Sequence, residues 1–204
     1  MQTCYPITRP IRTTAPTLTQ EPVTLAEARK QCEIGDSISD HDPHLSLLIR
    51  TAREQVENDT GIVCYTGEHT FKMTDWGDGE LIELRSIRPV TAIGSITYVD
   101  GSGIVTTWGS SNYQLETSTV VPVIRLAYAS TWPALRGDIN GITITLTAGY
   151  ATVLAIPGMV KLACLLLINH WFENRGIVSL GTISPEISMT YNALINRLSR
   201  STYP

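Results

Sequence analysis

The feature that most constrains this chain is that its hydrophobic period changes twice. Apolar residues recur at helical spacing between Thr24 and Gly61, a two-residue alternation takes over after Tyr65, and helical spacing returns at Pro157. A chain that reads helix, then short strands, then helix is expected to be α+β: an α-helical bundle of about four helices interrupted by an antiparallel β-sandwich or barrel-like insert. The expected divisions are an extended N-terminal arm (1–22), a helical domain in two pieces (23–62 and 156–200) and a β-rich insert (63–155).

Local signals set these boundaries. Pro6, Pro10, Pro16 and Pro22 keep the first stretch extended. Thr24 followed by Glu27 is a capping box, in which each residue's side chain bonds the other's backbone N–H, and it opens a short helix. Asp42 with Pro43 behind it predicts an N-cap and a proline at the first helical position. From there Leu45, Leu48, Ile49, Ala52 and Val56 form one stripe, with Arg50, Arg53, Glu54 and Glu57 on the other side and Gly61 as the stop. Short strands are expected at 69–73, 81–84, 93–99, 104–108, 113–116, 121–126 and 142–147, with turn clusters at 75–79 and 100–103. After Pro157, Met159, Val160, Leu162, Ala163, Leu166, Leu167 and Ile168 nearly encircle a helix that runs to about Arg175. A helix apolar most of the way round is buried by its own domain or by neighbouring subunits. A last helix opens at Pro185, with Ile187, Tyr191, Leu194 and Leu198 on one stripe.

The same residues argue against most chemistry. A net charge of −4 gives no basic surface for gripping phosphates. Cys4, Cys32, Cys64 and Cys164 lack any metal-type spacing and read as buried or incidental thiols in a reducing cytoplasm. His41 and His44 lie close together, but Pro43 and the cap role of Asp42 already account for that segment. Asp75, Asp78 and Glu80 lack the spacing of a calcium loop and read as a hairpin turn. Trp76, Trp108, Trp132 and Trp171 read as packing rather than as a stacking platform for sugars or bases. No nucleophile elbow or phosphate loop occurs, so no catalytic residue, metal or cofactor is expected. The first twelve residues lack the apolar segment of a signal peptide. The run Met159–Ile168, broken by Lys161, falls short of the ~20 residues a bilayer span needs, so no membrane partner is expected.

Four stretches carry a family likeness. They are EPVTLAEARKQC with DHDPHLSLLIRTAREQVENDTG, LIELRSIRPVTAIGSITYVDGSG, TWPALRG, and ITLTAGYATVLAIPGMVKLACLLLINHWFENRG. Taken in order, these resemble the head-tail connector (adaptor) proteins of phages and prophages, in particular the long branch that carries a β insert. The likeness covers roughly residues 21–176. It implies a non-enzymatic virion protein, assembled in the cytoplasm of the bacterial host and located at the neck. There it forms a ring with copies of itself, dodecameric by the family pattern, beneath the portal protein. It also implies that the ring extends the channel, passes double-stranded DNA without specific binding, and receives a stopper or tail-completion protein. On that reading Leu45, Leu48, Arg53, Met159, Leu166 and Trp171 are candidates for contacts between subunits. Ile187, Tyr191, Leu194, Leu198 and Tyr203 are candidates for docking on the portal. Alternatives are another neck or tail-completion protein, or a β module that binds carbohydrate or a host surface.

Overall fold

The computed structural model describes residues 11–12, 21–35, 37–77, 79–119, 121–174 and 185–199, the side chains of 11–12 and 185–188 excepted. The chain forms two compact units: Met1–Pro16 with Tyr65–Gly149, and Thr17–Cys64 with Tyr150–Pro204. The fold is α+β, with four α-helices and two antiparallel sheets among the described residues.

The helical unit contains α1 (Leu25–Gln31), α2 (Asp42–Thr60), α3 (Gly158–Glu173) and α4 (Pro185–Ser199). The capping box forms as the sequence predicts, with Glu27 N donating to Thr24 Oγ1 at 3.3 Å and Thr24 N to Glu27 Oε2 at 3.0 Å. α2 starts one residue early. His41 is its N-cap, Asp42 sits in the first turn, and the Asp42 carboxylate pairs with Arg29 instead of capping. That trade satisfies the carboxylate with a guanidinium while still placing it near the positive end of the helix. Gly61 closes α2 at φ 70, where a side chain would be strained.

α2 packs on α3, and both α1 and α4 pack against that pair. The core between them holds Leu45, Ile49, Ala52 and Val56 from α2 with Val160, Ala163, Leu167 and Ile168 from α3. Full burial of each larger side chain contributes about 2 kcal/mol. Arg53, placed by the sequence pattern on the polar side, is instead only 4% exposed. It lies at the margin of the stripe, and carboxylates close around it.

The β unit has a five-stranded sheet, in the order β1 (Ile11–Arg12), β2 (Gly67–Met73), β8 (Ile142–Ala148), β4 (Val90–Val99), β5 (Val105–Thr107). A second sheet runs β3 (Leu81–Glu83), β7 (Val123–Leu126), β6 (Tyr113–Glu116). Within the stretch expected as an extended arm, Ile11 and Arg12 pair with Thr70 and His69 at the sheet edge. β8 is central and keeps strict alternation, burying Ile142, Ile144, Leu146 and Ala148. β4 breaks alternation because its pairing with β8 shifts register twice, between Val90 and Ala92 and between Ile93 and Ser95. The hairpin turn after β4 is tied by Asp100, whose Oδ1 accepts from Ser102 N at 2.8 Å and Ile104 N at 3.0 Å. Those bonds favour the carboxylate, and the pKa of Asp100 is lowered. At the end of β8, Gly149 has φ +113 and lies so near the main chain of Tyr65 and Thr66 that a Cβ would overlap them.

Candidate interaction surfaces

A binding surface is built from what a unit leaves over after its own packing, so the first question is which side chains are already engaged. In the helical unit Arg53 gathers three carboxylates: Glu57 at 2.7 Å, Glu21 at 2.9 Å and Glu54 at 3.4 Å. Burial opposes its charge, and the three carboxylates outweigh that opposition, so its pKa is raised. The other oxygen of Glu57 accepts from Cys64 N at 2.8 Å, which fixes the chain just past α2. Cys64 and Cys164 are buried free thiols. Burial pushes both pKa values up, that of Cys164 to about 12, so both remain neutral.

Tyr191 on α4 is 3% exposed, and its hydroxyl donates to Asp59 Oδ2 at 2.7 Å. Burial and this bond both raise the tyrosine pKa. Lys161 on α3 pairs with Glu27 of the capping box and holds the Glu27 pKa down.

These engagements sort the sequence candidates. Leu45, Leu48 and Arg53 lie inside the helical unit. Met159, Leu166 and Trp171 on α3 are half-buried. Tyr191 faces the bundle, as does Ile195, which the sequence reading did not single out, while Leu194 and Leu198 are half-buried. The side chain of Ile187 and the whole of Tyr203 lie outside the described residues. His41 and His44 pack on Phe172, with ring centroids at 5.5 and 6.3 Å. Among the described residues no group of three or more metal-capable side chains comes together, and no helix is long and apolar enough to cross a membrane. Asp75 accepts from Gly77 N at 2.9 Å, as a turn residue does, and Asp78 lies outside the described residues.

In the β unit three tryptophans converge. Trp76 stacks on Trp132 with centroids at 4.8 Å and planes 10° apart, and Trp108 lies 5.1 Å from Trp132 and 5.6 Å from Trp76. Tyr98 and Tyr113 extend the cluster. Trp76 Nε1 donates to Pro133 O at 3.0 Å and Trp132 Nε1 to Gly79 O at 2.8 Å. With both N–H groups engaged by main-chain carbonyls, and Trp76 and Trp108 buried, the rings pin the 127–141 loop to the sheet.

What remains outward is apolar in a few places. Ile104, Val105, Tyr128 and Ile139 are exposed in the β unit, and Leu47, Leu154, Leu162 and Met189 in the helical unit. The helices α2 and α3 differ here. Opposite its core stripe α2 presents Arg50, Thr51 and Glu54 around the single Leu47, whereas α3 presents Leu162, 47% exposed, between the half-buried Leu165 and Leu166.

This arrangement has counterparts among solved structures. The fold is one found in the neck of gene transfer agent particles. A chain from the neck of an empty particle, computed with C6 symmetry, superposes with a TM-score of 0.72 at 24% identity, over 93% of this chain and 94% of that one. A chain from the virion of the native particle gives 0.73 at 24% identity, over 94% and 95%. One from the native neck, computed with C12 symmetry, gives 0.68 at 23% identity, over 93% of each. No protein-family model matches the sequence, and no curated protein does.

Proposed function

We propose that this chain is a structural subunit of the neck of a phage-type particle, and that it acts as the adaptor between portal and tail. The observation that carries this reading is the length of the structural match. Both units of this chain, in order, have counterparts across more than nine-tenths of a neck chain. A match confined to one unit would have pointed only to a shared module.

In the adaptor role the chain forms a ring around an axis, with the ring contacts made by the helical unit. A cyclic ring joins one face of each subunit to a different face of the next. Met159 and Leu166 suit such contacts, since Leu45, Leu48 and Arg53 are already buried within the unit. Portal contact falls to α4 and the residues beyond it. Leu194 and Leu198 are the half-buried side chains there, while Tyr191 keeps α4 on the bundle. Double-stranded DNA passes along the axis, and the opposite end of the ring receives a stopper or tail-completion protein. The net charge of −4 suits a conduit that must not hold DNA.

Electron microscopy of particles made without this gene tests the reading. DNA-filled or leaking heads beside separate, complete tails are the expected result. Normal joined, infectious particles would overturn it.

A further inference from the structure

The contrast between the outer sides of α2 and α3 specifies how copies would meet. On α3 the inward residues Val160, Ala163, Leu167 and Ile168 share one side of the helix, and Leu162, Leu165 and Leu166 share the other. That leucine stripe has a polar rim: the Lys161–Glu27 ion pair flanks it, and Asn169 donates to Glu173 at 3.0 Å at its C-terminal end. An apolar centre inside a polar rim is the composition of a contact surface. On α2, Leu47 is 58% exposed and lies half a turn from the core residues Leu45, Ile49 and Val56. Leu47 therefore lies opposite the core side of α2, and the leucine stripe lies opposite the core side of α3.

We infer that Leu47 of one copy seats on the Leu162–Leu165–Leu166 stripe of the next, a head-to-tail contact between identical chains. The inference rests on the neck reading for its occupant, since structural counterparts come from necks computed with C6 and C12 symmetry. The geometry supplies the rest. Two different apolar features, carried on the outer faces of two different helices, can repeat around an axis, whereas a single self-complementary patch would stop at a pair. Arg50 and Glu54 flank Leu47 and give that contact its own polar rim.

The test uses full-length chain in assembled particles, with a Cys4→Ser and Cys32→Ser background so that the native thiols left are the buried Cys64 and Cys164. The double variant Leu47→Cys/Leu162→Cys, treated with a short bis-maleimide, should give a ladder of multimers. Each single variant should stay monomeric. Dimers from Leu162→Cys alone would mean a symmetric pair and overturn the inference. Absence of cross-links from a double variant that is present in joined particles would also overturn it, while leaving the neck reading intact. Absence of the background protein itself from joined particles would remove the neck reading and this inference together. As a second measure, Leu162→Glu should keep the parent melting temperature in solution and lower particle joining at least about tenfold, the loss of one good contact. Undiminished joining by that variant would sink the head-to-tail contact.

Discussion

The helical unit is tied together by charged and polar side chains where the β unit is tied by aromatic rings. Arg53 with its carboxylates, Arg29 with Asp42, Lys161 with Glu27 and Tyr191 with Asp59 each join separate segments of the helical unit. In the β unit the ion pairs Arg85–Glu83 and Arg136–Asp138 are local, and the long-range ties include Trp76 and Trp132 bonded to the carbonyls of Pro133 and Gly79, beside Thr91 bonded to the carbonyl of Thr147. A tie made of charge responds to pH and to the loss of one partner. A tie made of packed rings responds to shape. The two units are therefore expected to fail under different challenges.

The hardest blow to the β unit is steric. Gly149→Ala places a Cβ against the Tyr65 main chain at φ +113 and is expected to cost more than about 4 kcal/mol. Loss of a cooperative tryptophan-fluorescence melt would show it, and a parent-like melt would remove the shape argument. In the helical unit Arg53→Met leaves three carboxylates around an uncharged side chain and is expected to cost about 3 kcal/mol, read by chemical denaturation with far-ultraviolet circular dichroism.

Alkaline pH separates the two units more gently. The thiols of Cys64 and Cys164 have raised pKa values in the folded chain. Once pH exceeds the ordinary thiol value near 9.0, the unfolded chain releases those protons and the folded chain keeps them, so stability falls as pH rises. The loss is roughly 1 kcal/mol per thiol for each pH unit. Tyr191 adds to it from about pH 10.0 upward. Tyr113 in the β unit, raised by burial, begins to act only there. Helical circular dichroism should decline at lower pH than the fluorescence of the tryptophan cluster, and coincident curves would erase the distinction. Smaller effects sharpen the map. Tyr191→Phe removes a bond to a carboxylate and should cost about 2 kcal/mol in the same denaturation assay. Thr24→Ala removes half of the capping box and should cost about 1 kcal/mol, visible as a small shift of the melt.

How much of this was legible in the sequence depends on how far apart the partners lie. The capping box, the Gly61 stop, the Asp100 turn and the strand β8 are set by residues within a few positions of one another, and the sequence reading placed all of them; the alternation expected at 93–99 is broken by the register shifts of β4. The start of α2 was one residue off because Asp42 is claimed by Arg29 from another helix. Arg53 was assigned to the polar side because its wheel position is marginal, and Glu21, which helps bring it inward, lies 32 residues away. Nothing local predicts that pairing. The encircling leucines of α3 predict a helix covered on nearly every side. Only the packed bundle tells Leu167, which is inside, from Leu162, which is not. Likewise Trp76 and Trp132 could be named in advance, but the carbonyls that engage their N–H groups sit 57 and 53 residues away.

The close approach of Gly149 to Tyr65 has a consequence for the connectivity of the chain. β2 and β8 are antiparallel neighbours with Gly67 opposite Ala148, so the two ends of the excursion from Tyr65 to Gly149 emerge side by side. Neighbouring strands lie about 5 Å apart. To the helices on either side, an entire β unit therefore has nearly the footprint of one tight loop. A short linker from Cys64 to Tyr150 would bridge the place of the whole excursion, and among the described residues the edge strand Ile11–Arg12 would lose its β2 partner.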